Sequence, residues 1–209
     1  MLTIQDVSVR LGGHMVLDRA SASLPPKARV GLVGRNGSGK STLLKVVSGR
    51  IQPDSGTIEV PKGVRVGYVA QEAPSGSAPA FEPVLAAAHE RARLLAAADT
   101  ETDPARLAEV HERLATIGAH AAPARAARIL AGMGFDEAMR DGPLDSLSGG
   151  WRMRVALASI LFAEPDVLLL DEPSNHLDLE ATLWLESFLV RYRGTVLLVS
   201  HEQIGRAHV

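Results

Sequence analysis

Gly34-Arg35-Asn36-Gly37-Ser38-Gly39-Lys40-Ser41 is the stretch on which the reading of this chain turns. It fits G-x-x-x-x-G-K-[ST], a loop whose glycines let successive backbone N–H groups turn inward around phosphate oxygens. Residues 28–33 ahead of it form a short apolar run that reads as a strand, and residues 41–47 behind it read as a helix. That helix points its positive end at the same place. In this setting Lys40 is expected to reach the β- and γ-phosphates of a nucleotide, and the Ser41 hydroxyl to bind Mg2+. The bland alternative is a glycine-rich turn that happens to carry a lysine, and the strand and helix on either side argue against it.

Working outward, residues 3–9 alternate, Pro53-Asp54-Ser55-Gly56 is a turn, and residues 57–60 and 64–69 read as strands around Pro61-Lys62-Gly63. Residues 73–83 form a loop rich in Pro, Ser and Gly. Residues 83–98 and 104–117 then read as two helices, with Asp103 as N-cap and Pro104 in the first helical position. Leu107, Val110, Leu114 and Ile117 share one face, and Val84, Leu85, Ala88, Leu94 and Leu95 can meet them in an αα-hairpin. A third helix over 123–131 ends at Gly132 and Gly134. Residues 151–162 and 179–192 read as helices, and residues 167–170 and 195–200 as strands buried on both faces. Strands and helices alternating around the loop predict an α/β core interrupted by a helical insert.

Two further stretches carry chemistry. Asp166-Val167-Leu168-Leu169-Leu170-Asp171-Glu172 is a buried strand ending in two acids, an arrangement that is costly without a cation. Asp171 fits the carboxylate that holds Mg2+ beside a phosphate loop. Glu172 then stands where a base could polarise an attacking water. A solvated acidic turn is the better reading of these acids alone, but not beside the loop. Leu147-Ser148-Gly149-Gly150-Trp151-Arg152 opens a helix and by itself is an N-cap with a flexible approach.

Together these motifs resemble the signature set of ABC-type ATPases. Further pieces match in order: Gln71 at a strand end resembles the Q-loop, Ser174-Asn175-His176-Leu177-Asp178 the D-loop, and His201 the switch histidine. Trp151-Arg152-Met153-Arg154 after the signature and Asn175-His176-Leu177-Asp178 after Glu172-Pro173 narrow the resemblance to the ABC-F family, in its bacterial Uup/YheS-like type. Transport subunits more often carry Gln after the two signature glycines.

The resemblance implies a P-loop NTPase fold of ABC type, with an N-terminal antiparallel β subdomain and an arm hairpin at about 83–118 in a helical subdomain over 73–154. The β/α core would then comprise 1–72 and 155–202. It implies a Mg2+-dependent ATPase with Glu172, His201 and Gln71 in catalysis. Ser41, Gln71 and Asp171 would lie on the metal. Gly34, Arg35, Asn36, Gly37, Ser38, Gly39, Lys40, Ser41 and Thr42 would hold ATP, with Ser148, Gly149 and Gly150 closing over the nucleotide of another domain. One phosphate loop and one signature cannot form a complete site in one chain, so the implied partner is a second ABC domain, in cis in a longer protein. The implied function is a nucleotide-driven switch on the ribosome in translation, with ribosomal RNA, ribosomal proteins and tRNA as contacts and no membrane domain. The competing readings are the motor subunit of an ABC membrane transporter and an ATP-binding structural module with negligible turnover.

Departures from the family pattern are local. Leu11, in Val9-Arg10-Leu11-Gly12-Gly13, stands where an aromatic ring usually meets the adenine, so base selectivity is expected to be lax. Ser174 and Glu202 replace the commoner Thr and Asp. Residues 203–209 can be encoded by bases that match a common sequencing-library adapter read in frame, which makes a non-native tail and a truncated first nucleotide-binding domain the expectation. Between residues 84 and 117, Arg91, Arg93, Arg106 and Arg113 face Glu90, Asp99, Glu101, Asp103, Glu109 and Glu112, so the hairpin has no excess positive charge with which to hold phosphates.

Composition agrees with a soluble globular protein that has a real core. The 209 residues are 46% apolar and 22% charged, enough for one large domain or two small ones. The absence of cysteine excludes disulfides, thiol catalysis and zinc–thiolate sites. A net charge of −2 provides no global attraction for nucleic acid. No apolar run reaches the roughly 18 residues that span a bilayer, and the opening MLTIQDVSVR is no signal peptide, so a cytoplasmic location is expected.

Overall fold

The computed structural model describes residues 1–69 and 73–200. Gln71, His201 and residues 203–209 lie outside the described residues. The chain divides into two compact units, one of residues 1–69, 164–175 and 186–209, the other of residues 70–163 and 176–185.

The first unit carries two sheets. One is antiparallel, in the order β2-β1-β4, from β1 (Leu2–Leu11), β2 (His14–Leu24) and β4 (Ser55–Glu59). The other is parallel, in the order β3-β7-β6-β5, from β3 (Arg29–Leu32), β5 (Val66–Tyr68), β6 (Val167–Asp171) and β7 (Thr195–Val199). Helix α1 (Lys40–Val47) packs against β6 and β2. It brings Leu44, Val46 and Val47 into one core with Val7, Val9, Leu17, Leu169, Leu197 and Val199. The central strand β6 buries Val167, Leu168, Leu169 and Leu170 in succession, as a strand covered on both faces requires.

Register decides where the chemistry sits. Leu32 pairs with Val199, and Val199 with Asp171, so β3, β7 and β6 finish in one row at their carboxyl ends. The phosphate-type loop leaves the first of these ends and Glu172 leaves the last. Open parallel sheets bind ligands at such carboxyl ends.

Strand β2 has no counterpart in the sequence reading. Its exposed Asp18, Arg19, Ser21, Ala22 and Ser23 hide the alternation, and its pairing with β1 is interrupted by register shifts between Ile4 and Arg10. Only the tertiary pairing makes it a strand.

The second unit is helical: α2 (Phe81–Ala86), α3 (His89–Thr100), α4 (Pro104–Thr116), α5 (Ala122–Gly132), α6 (Glu137–Asp141), α7 (Gly149–Ala163) and the start of α8 (Leu179–Val190). Asp103 caps α4 by accepting from the Ala105 N–H at 3.0 Å, and α3 packs against α4. The single helix expected over 83–98 is instead two, broken at Ala88, whose ψ of 70° is not helical. The break has a packing cause. Val84 is fully buried in α2, which packs on α5 and α7, while α3 buries no residue completely. Val84 therefore serves the α5–α7 core rather than the hairpin. The expected boundary at residues 154–155 also shifts, because α7 remains whole in this unit and buries Val155, Leu157, Ala158, Leu161 and Phe162 along its length.

Among the described residues, no helix is long and apolar enough to cross a membrane.

Candidate functional site

The loop between β3 and α1 is shaped by turns that require glycine. Gly37 and Gly39 have φ of 78° and 87°, in the left-handed region. At Gly39 a second constraint applies, since a Cβ there would lie 2.8 Å from the Val16 carbonyl oxygen and 2.9 Å from Leu17 Cδ2 of β2. A Cβ on Gly34 would meet Ser38 Oγ at 2.9 Å. Gly34 through Ser38 are exposed, whereas Gly39 and Lys40 are buried. Lys40 is only 7% exposed, and its Nζ donates to the carbonyl oxygens of Gly34 at 2.8 Å and Arg35 at 2.9 Å. An ammonium with three donors is thus held beneath the loop, beside the N-terminus of α1. Ser41 and Thr42 follow in the first turn of that helix.

The acids at the end of β6 differ from each other. Both carboxylate oxygens of Asp171 are buried without a hydrogen-bond partner among the described residues. A buried, uncompensated carboxylate calls for a cation. Among the described residues no group of three His, Cys, Asp or Glu forms a metal site. That donor set fits Mg2+, which commonly takes one or two protein ligands and completes its shell with water and phosphate oxygens. Glu172 has φ of 48°, a strained conformation for a non-glycine residue. Its N–H donates to the Val199 carbonyl at 3.0 Å, tying it to β7. Asn175 Nδ2 donates to Glu172 Oε2 at 2.9 Å, so the carboxylate is held by a residue four positions from the strand end.

Tyr68 is an unforeseen neighbour. It pairs with Leu169 in parallel register, which places it on the sheet face shared by Asp171 two residues on. Its hydroxyl is buried without a partner among the described residues. Burial first, and then the negative field of Asp171, push its pKa up, while Arg50 pulls the other way. The Arg50 guanidinium lies 4.9 Å from the centre of the Tyr68 ring.

In the second unit, Ser148 is exposed and its carbonyl accepts from the Arg152 N–H at 3.0 Å, so it is the residue that opens α7. A Cβ on Gly149 would meet nothing within 4 Å, so there is open space beside this residue. The ring of Trp151 meets Phe135 edge-on at 5.0 Å. Asp178 caps α8 by accepting from the Ala181 N–H at 2.9 Å. That bond, and after it Arg154, hold the Asp178 carboxyl below the usual carboxylate range.

The structure therefore gathers Gly34 through Thr42, Asp171 and Glu172 in the first unit and places Ser148, Gly149 and Gly150 in the second. Gln71 and His201, expected in catalysis, are outside the described residues. Leu11 ends β1 at a hairpin whose Gly12 and Gly13 are both left-handed, and it is 44% exposed. Sequence reading missed three contributors: the β2 residues Val16 and Leu17 against Gly39, the hydroxyl of Tyr68, and the Asn175 bond to Glu172. Only the third had a signal, an Asn three residues beyond an acid in a turn.

Comparison with known proteins gives a consistent picture. The family profile described as "ABC transporter" matches residues 17–175. A Haemophilus influenzae protein described as "Probable ATP-binding protein YheS" is 41% identical over 206 residues, covering 97% of this chain and 32% of that protein. The human "ATP-binding cassette sub-family F member 3" is 43% identical over 211 residues, covering 96% of this chain and 29% of that protein. The chain thus spans about a third of the length of these relatives. The solved "Dimeric structure of a post-hydrolysis state of the ATP-binding cassette MJ0796 bound to ADP and Pi" superposes with a TM-score of 0.67 at 20% identity, over 97% of this chain and 88% of that one. At that identity the likeness is one of fold.

Proposed function

The chain belongs to the ABC transporter family, and from that premise we propose that it binds ATP with Mg2+ in the Gly34–Thr42 cradle and hydrolyses it when a second ABC domain closes over it. The observation that carries this reading is a pair of opposite buried charges: the Lys40 ammonium beneath the phosphate loop and the partnerless Asp171 carboxylate at the end of β6. Mg2+, when bound, supplies charge neutralisation between the phosphates and that carboxylate. Ser41 and Asp171 would hold it, with Gln71, outside the described residues, as a third candidate. The N–H groups of the loop and of α1 orient the triphosphate. Glu172, kept in place by Asn175, accepts the proton of the attacking water. His201, outside the described residues, takes the switch-histidine role that the resemblance implies.

Ser148 and the N-terminus of α7 serve the nucleotide of the paired domain, where closure excludes water and completes the shell of donors. The 209 residues carry one loop and one signature, so as an isolated polypeptide they complete a site only with another molecule. Specific ATPase activity is therefore expected to rise steeply with protein concentration. A dilute monomer with full turnover would sink the paired-domain reading.

Identity of 41–43% to YheS and to a human sub-family F protein supports placing this chain in the ABC-F branch. We assign it the cytoplasmic, ribosome-directed role that the resemblance implies. In the presence of ATP, Glu172→Gln protein is expected to sediment with ribosomes and not with lipid vesicles. The opposite partition would favour the transporter reading.

Leu11 sets the base preference. Without a ring at that place the site forfeits about 0.5–1.5 kcal/mol of stacking beyond area burial. GTP is then expected to compete within roughly tenfold of ATP. A preference for ATP of several hundredfold in a competition assay would assign adenine recognition to another residue.

A further inference from the structure

Arg154 lies on α7, five residues beyond the helix start, and touches none of the phosphate-binding residues described above. It is nevertheless 8% exposed, unusual for an arginine, and two nitrogens of its guanidinium carry three hydrogen bonds. Nε donates to the His176 carbonyl at 2.7 Å. Nη1 donates to the Met133 carbonyl at 2.9 Å and to Asp178 Oδ2 at 3.0 Å. The guanidinium carbon stands 4.2 Å from the centre of the Trp151 ring, one turn back on the same helix. The turn after α5 is fitted to this stack: Gly134 has φ of 89°, and a Cβ there would lie 3.1 Å from Nη1 and 3.4 Å from the Trp151 ring.

One side chain thus ties three segments together: the helix that Ser148 opens, the turn at Met133–Gly134, and the stretch from His176 to the cap of α8. Asp178 is engaged twice, by Arg154 through one oxygen and by the Ala181 N–H through the other. The stretch of backbone between those two acceptors is consequently fixed to α7.

We propose that Arg154 is a positioning residue that locks the His176–Asp178 segment to the signature helix, so that the two are presented to a partner ABC domain as one rigid surface. The proposal rests on the paired-domain reading given above, since it concerns what that surface does. Planarity is essential to it. Three acceptors arranged around a guanidinium need its fixed fork of donors, and a lysine ammonium at the end of a flexible stem cannot serve them together.

The test uses Arg154→Lys and Arg154→Gln in the full chain, with and without Glu172→Gln. Arg154→Lys keeps the charge opposite Asp178 and guards against a variant that fails to fold. ATP affinity by calorimetry is expected to stay within about twofold of the parent, because the cradle is untouched. Amide hydrogen exchange over residues 176–182 is expected to rise about tenfold in both variants, and ATP-dependent self-association in the Glu172→Gln background to weaken about tenfold, which corresponds to about 1.4 kcal/mol. Unchanged exchange over 176–182 overturns the proposal. So does faster exchange with undiminished self-association, which would make the clamp a stability device only. If the Glu172→Gln parent does not associate in ATP at all, pairing between copies of this chain fails, and the exchange result alone then decides whether Arg154 holds the segment.

Discussion

Glu172→Gln is expected to lower steady-state phosphate release from the paired, ATP-loaded domain by about two to four orders of magnitude, the range for loss of a general base. The substitution keeps the shape of the site. Glutamine retains a carbonyl oxygen that can accept from Asn175 Nδ2, the donor that lies 2.9 Å from the present carboxylate. The backbone constraint is also retained, since the φ of 48° and the N–H bond to Val199 do not depend on the side chain's charge. ATP affinity should therefore be close to that of the parent, and the closed pair should accumulate. The informative measurement is phosphate release and ATP binding on the same preparation. Release at the parent rate would remove Glu172 from the base position, and loss of binding with loss of release would make it a structural residue.

Why Glu172 could be singled out from sequence, while its holder could not, shows what a linear pattern carries. A run of four apolar residues ending in two acids makes a buried strand with charge at its tip, and β6 ends at Asp171 as that pattern requires. The phosphate loop was legible for the same reason, because the glycine spacing encodes left-handed backbone at Gly37 and Gly39. The element that presses on Gly39 was not legible. Strand β2 shows few buried residues, so its periodicity is weak, and its role depends on contact with a loop more than 20 residues further on. Tyr68 was invisible for a similar reason: its place beside Asp171 follows from the parallel pairing of Tyr68 with Leu169, which no local pattern states.

The first helix of the hairpin departs from expectation in a more instructive way. Apolar spacing over 83–98 is compatible with one helix, and alanine favours it. Tertiary packing overrode that propensity, because Val84 is worth more in the α5–α7 core than on a hairpin whose first helix buries nothing completely. Leu114, expected on the apolar face of α4, is the one residue that this helix buries. Arg154 represents the converse case. It was noted only as part of a motif, and its three acceptors come from residues 21 to 24 positions away.

Lys40 offers the second large effect. Lys40→Ala is expected to weaken ATP binding by roughly ten- to hundredfold, because it deletes a buried cation whose charge-assisted bonds to the triphosphate are each worth about 1.5–3 kcal/mol. Without nucleotide the cost should be small. The Nζ bonds at 2.8 and 2.9 Å end on carbonyls of Gly34 and Arg35, residues that are exposed and can turn to water. The buried stem is a separate matter, and Lys40→Met keeps it while removing the charge. The two variants should therefore differ in melting temperature without ligand but agree in their loss of affinity. Thermal shift reads both at once. ATP at a hundredfold excess over its Kd stabilises the parent by about 2.7 kcal/mol, and a hundredfold loss of affinity reduces that to about 0.4 kcal/mol at the same concentration. If Lys40→Met bound ATP as tightly as the parent, the ammonium beneath the loop would be a structural strut for the carbonyls of Gly34 and Arg35, and phosphate recognition would rest on the backbone N–H groups of the loop and of α1 alone.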